Sequence, residues 1–245
     1  MLADRLERLS VMGLPVHQSQ DYVGWLLGRL RHRQSTHVVT LNAEMCMQAR
    51  QNAELNRLIQ NADLVIPDGA GIELYFRGLQ RRLVKRCPGI ELAAELLERL
   101  EPGHKVVFYG GTPEVSQTAA QFWQRQRPAL NLVAVQHGYA AGPDLSHFLE
   151  QLRRLQPDVI FVGLGVPRQE RWIDAHRQLC PQATWVGIGG SFDIWAGVKT
   201  RAPRWMCDRH LEWLYRLYQE PWRWRRMLAL PQFAWSAVLY QWRKR

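Results

Sequence analysis

Six short apolar runs, rich in β-branched residues, recur along the chain at residues 37–41, 62–66, 105–109, 132–135, 158–162 and 184–188. Each is apolar at consecutive rather than alternate positions, so each buries both of its faces. Polar, helix-forming segments separate them, such as residues 44–60 and 115–127. Strands buried on both sides and alternating with helices specify βαβ units. The expected fold is therefore α/β and Rossmann-like, a mainly parallel sheet flanked by helices. A length of 245 residues suits one such domain with an appendage, large enough to build its core without disulfides. The four cysteines, Cys46, Cys87, Cys180 and Cys207, form no C-x-x-C pair and read as reduced cytosolic thiols. Residues 1–10 mix acids with arginines and carry no apolar stretch, so they do not read as a signal peptide.

In an open parallel sheet, ligands bind beyond the carboxyl ends of the strands. Nearly every strand here ends in small, polar or glycine-rich residues: Thr40-Leu41-Asn42, Pro67-Asp68-Gly69, Gly110-Gly111-Thr112-Pro113, the run from Gly163 through Gly165 and Pro167 to Gln169 and Glu170, and Gly189-Gly190-Ser191-Phe192-Asp193. Glycines let backbone N–H groups approach a phosphate, and a following helix N-terminus adds partial positive charge. Several such loops on one edge make a nucleotide cleft. None of them is a P-loop or a G-x-G-x-x-G fingerprint.

Within that cleft Asp68 is the candidate base for an acceptor hydroxyl, although position alone slightly favours the cap of a helix starting near Gly71. Thr40 and Asn42 are placed to hydrogen-bond a sugar or ribose, and Asn42 also fits a helix N-cap. Arg86 offers a fixed charge for a diphosphate, within a basic loop that includes Arg81, Arg82 and Lys85. Asp193 is a second carboxylate that could accept bonds from a uracil, a ribose or a sugar, or from loop amides. No D-x-D motif is present, so arginines and backbone amides are expected to neutralise a leaving group, with no metal and no cofactor. The eight histidines are scattered and receive no role.

The net charge of +10 is concentrated at one end. Residues 199–245 hold eleven Lys and Arg against Asp208, Glu212 and Glu220, together with six of the eleven tryptophans. That composition separates a catalytic domain, 1–198, from a basic, Trp-rich helical appendage, 199–245, suited to an anionic membrane surface. Residues 204–217 read as one helix, and Pro221 starts another. Arg216, Arg223 and Arg226 are its candidate phosphate ligands. Residues 227–242 carry no charge but are too short to span a bilayer, and Pro231 interrupts them. They read as an interfacial or core-packing helix, and would equally fit a contact in a homo-oligomer.

These loops, in this order, resemble the WecG/TagA/CpsF family, glycosyltransferase family 26. The resemblance runs from about Val11 to Trp224. It is carried by Thr40-Leu41-Asn42-Ala43-Glu44, Pro67-Asp68-Gly69, Arg86-Cys87-Pro88-Gly89, Tyr109-Gly110-Gly111, His137-Gly138-Tyr139, the Gly163-to-Glu170 loop, Gly189 to Asp193, Arg201-Ala202-Pro203-Arg204-Trp205 and Glu212-Trp213-Leu214-Tyr215-Arg216. It implies inverting, metal-independent transfer from a UDP-sugar donor, of the N-acetylmannosamine type, to an undecaprenyl-diphosphate-linked acceptor in cell-surface polysaccharide or wall polymer synthesis. The implied location is the inner face of the plasma membrane, as a peripheral protein. Asp68 matches the family's proposed base. Thr40, Asn42, Arg86, Gln169 and Asp193 match pocket positions, and Arg216, Arg223 and Arg226 match arginines of the appendage.

Two other readings share parts of this pattern. One is a different nucleotide-dependent Rossmann-like enzyme, which the missing G-x-G-x-x-G disfavours. The other is a nucleic-acid-binding protein using the basic tail. The family reading expects no nucleic-acid partner.

Overall fold

In the computed structural model, which describes residues 6–243 apart from the side chain of Arg223, the chain opens with a hairpin that apolar periodicity does not reveal. Strands β1 (Glu7–Val11) and β2 (Leu14–Gln18) pair antiparallel around Met12 and Gly13. Both turn residues have positive φ, 47° and 90°, as a tight type I′ turn demands. Helix α1 (Tyr22–Arg31) follows, capped by Asp21, whose carboxylate accepts the Gly24 N–H at 2.7 Å.

The six apolar runs all become strands: β3 (Thr36–Leu41), β4 (Leu64–Pro67), β5 (Val106–Gly110), β6 (Leu132–Gln136), β7 (Val159–Gly163) and β8 (Thr184–Gly187). They form one sheet in the order β4-β3-β8-β7-β5-β6, every neighbouring pair parallel. The chain reverses direction across the sheet between β3 and β7, the place where such folds open a ligand crevice. The connecting helices are α2 (Ala43–Gln51), α3 (Ala53–Gln60), α4 (Ala70–Leu79), α5 (Gly89–Arg99), α6 (Pro113–Gln126), α7 (Gly142–Leu155), α8 (Arg168–His176) and α9 (Ser191–Trp195). The helix expected over residues 44–60 is two helices. Asn52 takes an extended conformation, and its side chain accepts the Leu55 N–H at 3.0 Å, which ends one helix and starts the next.

Consecutive strand residues point to opposite cores. Val38, Val106, Phe108, Val159 and Phe161 face α1, α5, α6 and α9. Val39, Leu41 and Val65 face α2, α3, α4 and the hairpin, while Val107, Tyr109, Ile160 and Trp185 face α7 and α8. Each large side chain buried this way stabilises the fold by roughly 1.5–3 kcal/mol.

The C-terminal segment is helical throughout but more broken than its sequence suggests. It comprises α10 (Arg204–Asp208), α11 (Glu212–Gln219), a 3-10 turn at Pro221–Arg223, α12 (Trp224–Met227) and α13 (Ala229–Trp242). The single helix expected over 204–217 breaks at Arg209–Leu211, where His210 has φ +61°. Pro231 does not interrupt its helix. It lies in the first turn of α13, where a missing N–H leaves no hydrogen bond unmade. Helix α13 packs on α2 and α4, burying Phe233 and Ala237 in the same core as Ile72 and Tyr75. No helix among the described residues is long and apolar enough to cross a membrane.

Candidate active site

The loops after β3, β4, β5, β7 and β8 open into one cavity of about 820 Å³, closed on its other side by α11, α12 and α13. Thr40, Asn42, Asp68, Arg86, Gly111, Gly163, Gly165, Gln169, Gly189, Gly190 and Asp193 line it from the sheet side, and Arg216 and Arg226 from the C-terminal helices. Two expected residues are not among its walls. Gly110 ends β5 at φ +141°, and a Cβ there would lie 2.4 Å from the Gly163 carbonyl oxygen. Its glycine is required by strand packing, one residue short of the cleft. Pro167 occupies the N-cap position of α8 rather than the wall. The Arg223 side chain lies outside the described residues.

Asp68 is fixed by its backbone. Its N–H donates to the Leu41 carbonyl at 2.8 Å, and Gly69 at φ +84° turns the chain into α4. The carboxylate does not cap α4, whose start carries no side-chain bond. It is instead one of the walls of the cavity. The group is raised to about 6, first by burial and then by Glu212, with Arg216 and Arg86 opposing the rise. A half-buried carboxylate of that basicity is suited to take a proton near neutral pH.

The charges around Asp68 come as a clamp. Arg86 Nη1 lies 3.3 Å from Glu212 Oε2, and Arg216 pairs with the other oxygen of the same carboxylate. Glu212 therefore ties a body loop to α11 beside Asp68. Sequence reasoning missed Glu212, although its i,i+4 spacing to Arg216 on one helix was a visible signal. Arg226 bonds Glu44 at 2.7 Å. Asp193 is not satisfied by loop amides: Lys199 lies 2.8 Å from it and 3.3 Å from Glu220.

The remaining polar residues are partly committed to the fold. Thr40 Oγ1 donates to the Gly187 carbonyl at 3.1 Å, and Asn42 Oδ1 accepts the Met45 N–H at 2.9 Å, capping α2. Asn42 thus caps α2 with its oxygen while lining the cavity. Gln169, 1% exposed, accepts the Gly189 N–H at 3.0 Å and donates to Glu170 at 2.9 Å. Glu170 Oε2 in turn lies 2.8 Å from His37 Nε2, both side chains buried. This chain from β3 to the β8 loop was unread in the sequence, where His37 received no role. Its only signal was a histidine inside an otherwise apolar strand, which has to find a partner once buried. Among the described residues, no group of three or more His, Cys, Asp or Glu could hold a metal ion.

An all-parallel sheet whose glycine-rich loops converge with a basic carboxylate at the strand carboxyl ends defines an α/β enzyme of the Rossmann-like class. The chain belongs to the glycosyl transferase WecG/TagA/CpsF family, whose profile matches residues 9–245, and it is a glycosyltransferase. The match continues to the C-terminus, past Trp224 where the sequence resemblance was placed, and so includes α13. Among characterised proteins, the chain is similar to the N-acetylglucosaminyldiphosphoundecaprenol N-acetyl-beta-D-mannosaminyltransferase of Bacillus spizizenii, 36% identical over 82% of this chain and 78% of the relative. The enzymes of the same name from Bacillus subtilis (strain 168) and Staphylococcus aureus (strain MW2) are each 34% identical over 80% of this chain and 77% of the relative.

Proposed function

We propose that this glycosyltransferase moves an N-acetylmannosamine-type sugar from a UDP-sugar to an undecaprenyl-diphosphate-linked sugar, in the synthesis of a cell-surface polysaccharide or wall polymer. The relatives' names supply the sugar and the acceptor class. The observation that carries the chemistry is the Asp68 carboxylate, basic enough to titrate at about 6 and set beside Arg86 and Arg216.

In this reading UDP lies over the Gly111, Gly163 and Gly189 loops, and the sugar points toward Thr40, Asn42 and Asp68. Asp68 accepts the proton of the acceptor hydroxyl. The freed oxygen pair forms a bond to the anomeric carbon on the face opposite UDP. The bond from that carbon to the diphosphate oxygen breaks, its electrons leave with UDP, and configuration inverts. Arg86 and Arg216 meet the charge that develops on the diphosphate, so no metal is needed. Support for arginine in that role comes from their position beside Asp68 and from the lack of a D-x-D motif.

Residues 199–245 act as a membrane-associating appendage that also closes the cleft, holding the protein on the inner face of the plasma membrane. Trp222, Trp235 and Trp242, all strongly exposed in a segment rich in arginine, support this. The test is a screen of UDP-sugars with a lipid-diphosphate acceptor, scored by UDP release. Release only in the presence of both substrates is expected. Release from no UDP-sugar, or release that ignores the acceptor, contradicts the reading.

A further inference from the structure

The cavity that holds Asp68 does not end at its polar groups. Its walls also include Met227, Leu230, Ala234 and Val238 of the C-terminal helices and Leu74 and Leu79 of α4. None is charged, and residues 227–242 contain no charged side chain. The two charged residues of α4, Glu73 and Arg77, are not among the cavity's walls. Leu74 and Val238 are each 49% exposed, so apolar surface stays open along a concave wall continuous with the catalytic cleft. Phe233 sets the floor, buried against Gly71 and 6.2 Å from the Tyr75 ring, which fixes α13 on α4. Apolar surface left open in a cleft marks a place that an apolar ligand covers.

This one cavity is lined by a carboxylate, by arginines and by an uncharged apolar wall. A sugar joined through a diphosphate to a long isoprenoid presents the chemistry that matches all three. We propose that the groove between α4 and α13 seats the first isoprene units of the acceptor's prenyl chain, with the acceptor diphosphate at its Arg216 and Arg226 end. This rests on the lipid-linked acceptor of the proposed function and adds where the lipid lies. A plain bilayer contact does not account for the groove. Trp235 and Trp242 already offer exposed apolar surface on the same helix, whereas Leu74 and Leu79 belong to the body and face the catalytic cavity.

The test uses the full-length protein and farnesyl diphosphate, a soluble prenyl diphosphate with no sugar, titrated by calorimetry. Wild type is expected to bind it at least about tenfold more tightly than inorganic diphosphate. Leu74→Glu and Val238→Glu are each expected to remove about that advantage while UDP binding stays unchanged, which also reports an intact fold. Equal affinity for farnesyl diphosphate and inorganic diphosphate overturns the proposal. So do variants that bind farnesyl diphosphate as wild type does but lose vesicle binding, which would make the groove a membrane contact. Variants with unchanged affinity and an altered sedimentation mass would make it a contact between copies, and overturn it as well. Because binding is read without transfer, failure of sugar transfer with this binding intact counts against the proposed reaction and leaves the groove standing.

Discussion

Arg86 and Glu212 meet at 3.3 Å, each with a side chain only 14% exposed, across the seam between the sheet domain's loops and α11. The same glutamate holds Arg216, so one carboxylate orients two guanidiniums that both act on Asp68. Part of the C-terminal segment is thereby built into the surroundings of Asp68.

Glu212→Gln removes a negative charge that raises Asp68 and leaves the two arginines that lower it. Activity that needs ionised Asp68 then persists to lower pH, so the acid limb of kcat/KM moves down from its wild-type position. The maximal rate falls about tenfold, because the arginines lose their shared anchor. A pH–rate profile of the variant reads both effects. An unmoved limb would mean that Glu212 does not act on the base.

Asp68→Asn lowers turnover by about 10² to 10⁴, the usual worth of a general base. The variant is also more stable at neutral pH. Asp68 in the folded protein titrates at about 6, above the ordinary aspartate value, so folding favours its neutral form. That contribution is fully present below the unfolded value and is lost as pH rises through about 6. Asparagine carries no charge to desolvate. It therefore gains up to about 3 kcal/mol over wild type at about pH 8, and nothing at about pH 4. Denaturant melts at both pH values check this.

Gly187→Ala places a Cβ 2.6 Å from Gln169 Nε2 and 2.9 Å from Glu170 Oε1. The buried pair has no room to yield, so the Gln169 bond to Gly189 N–H breaks. UDP binding weakens about tenfold, roughly the worth of one lost hydrogen bond and the loop order it maintains. Glu170→Ala goes further. It leaves His37 Nε2 and Gln169 Nε2 without their buried partner and costs about 1–3 kcal/mol of stability for each. Titration of UDP and thermal melting distinguish the two, since only the second variant loses much stability.

Much of this could be read from the chain, for reasons that differ by element. The six strands were legible because a strand with helices on both sides is apolar at every position, as in Val38-Val39 and Val106-Val107. Asp68 was legible because it follows such a strand and precedes glycine. The hairpin at Glu7–Gln18 was not, since its buried positions, Leu9, Val11 and Leu14 to Val16, are interrupted by polar residues and do not form the continuous apolar run that marks the sheet strands. The Glu212 clamp and the His37–Glu170 pair join residues 126 and 133 apart in sequence, and no local spacing encodes such contacts. The cap that Asn42 forms was legible, because an asparagine after a strand and before a helix is a favoured N-cap.

A chain ending at Thr200 loses the helices that cover α2 and α4, leaving Ile72 and Tyr75 open to water. It is expected to bind anionic vesicles far more weakly than the full chain, whose own binding falls as salt screens the arginines. It also loses Glu212 and Arg216 and with them transfer activity. Vesicle co-sedimentation at two salt concentrations checks the first point, and equal binding by both chains would remove the appendage from the membrane.

The most direct measurement of the central claim is UDP release from UDP-N-acetylmannosamine with an N-acetylglucosamine-diphospholipid acceptor, for wild type and Asp68→Asn, across pH. The account predicts acceptor-dependent release in wild type, with an acid limb near pH 6, and a drop of about 10² to 10⁴ in a variant that still binds UDP. Wild-type turnover in Asp68→Asn would contradict it.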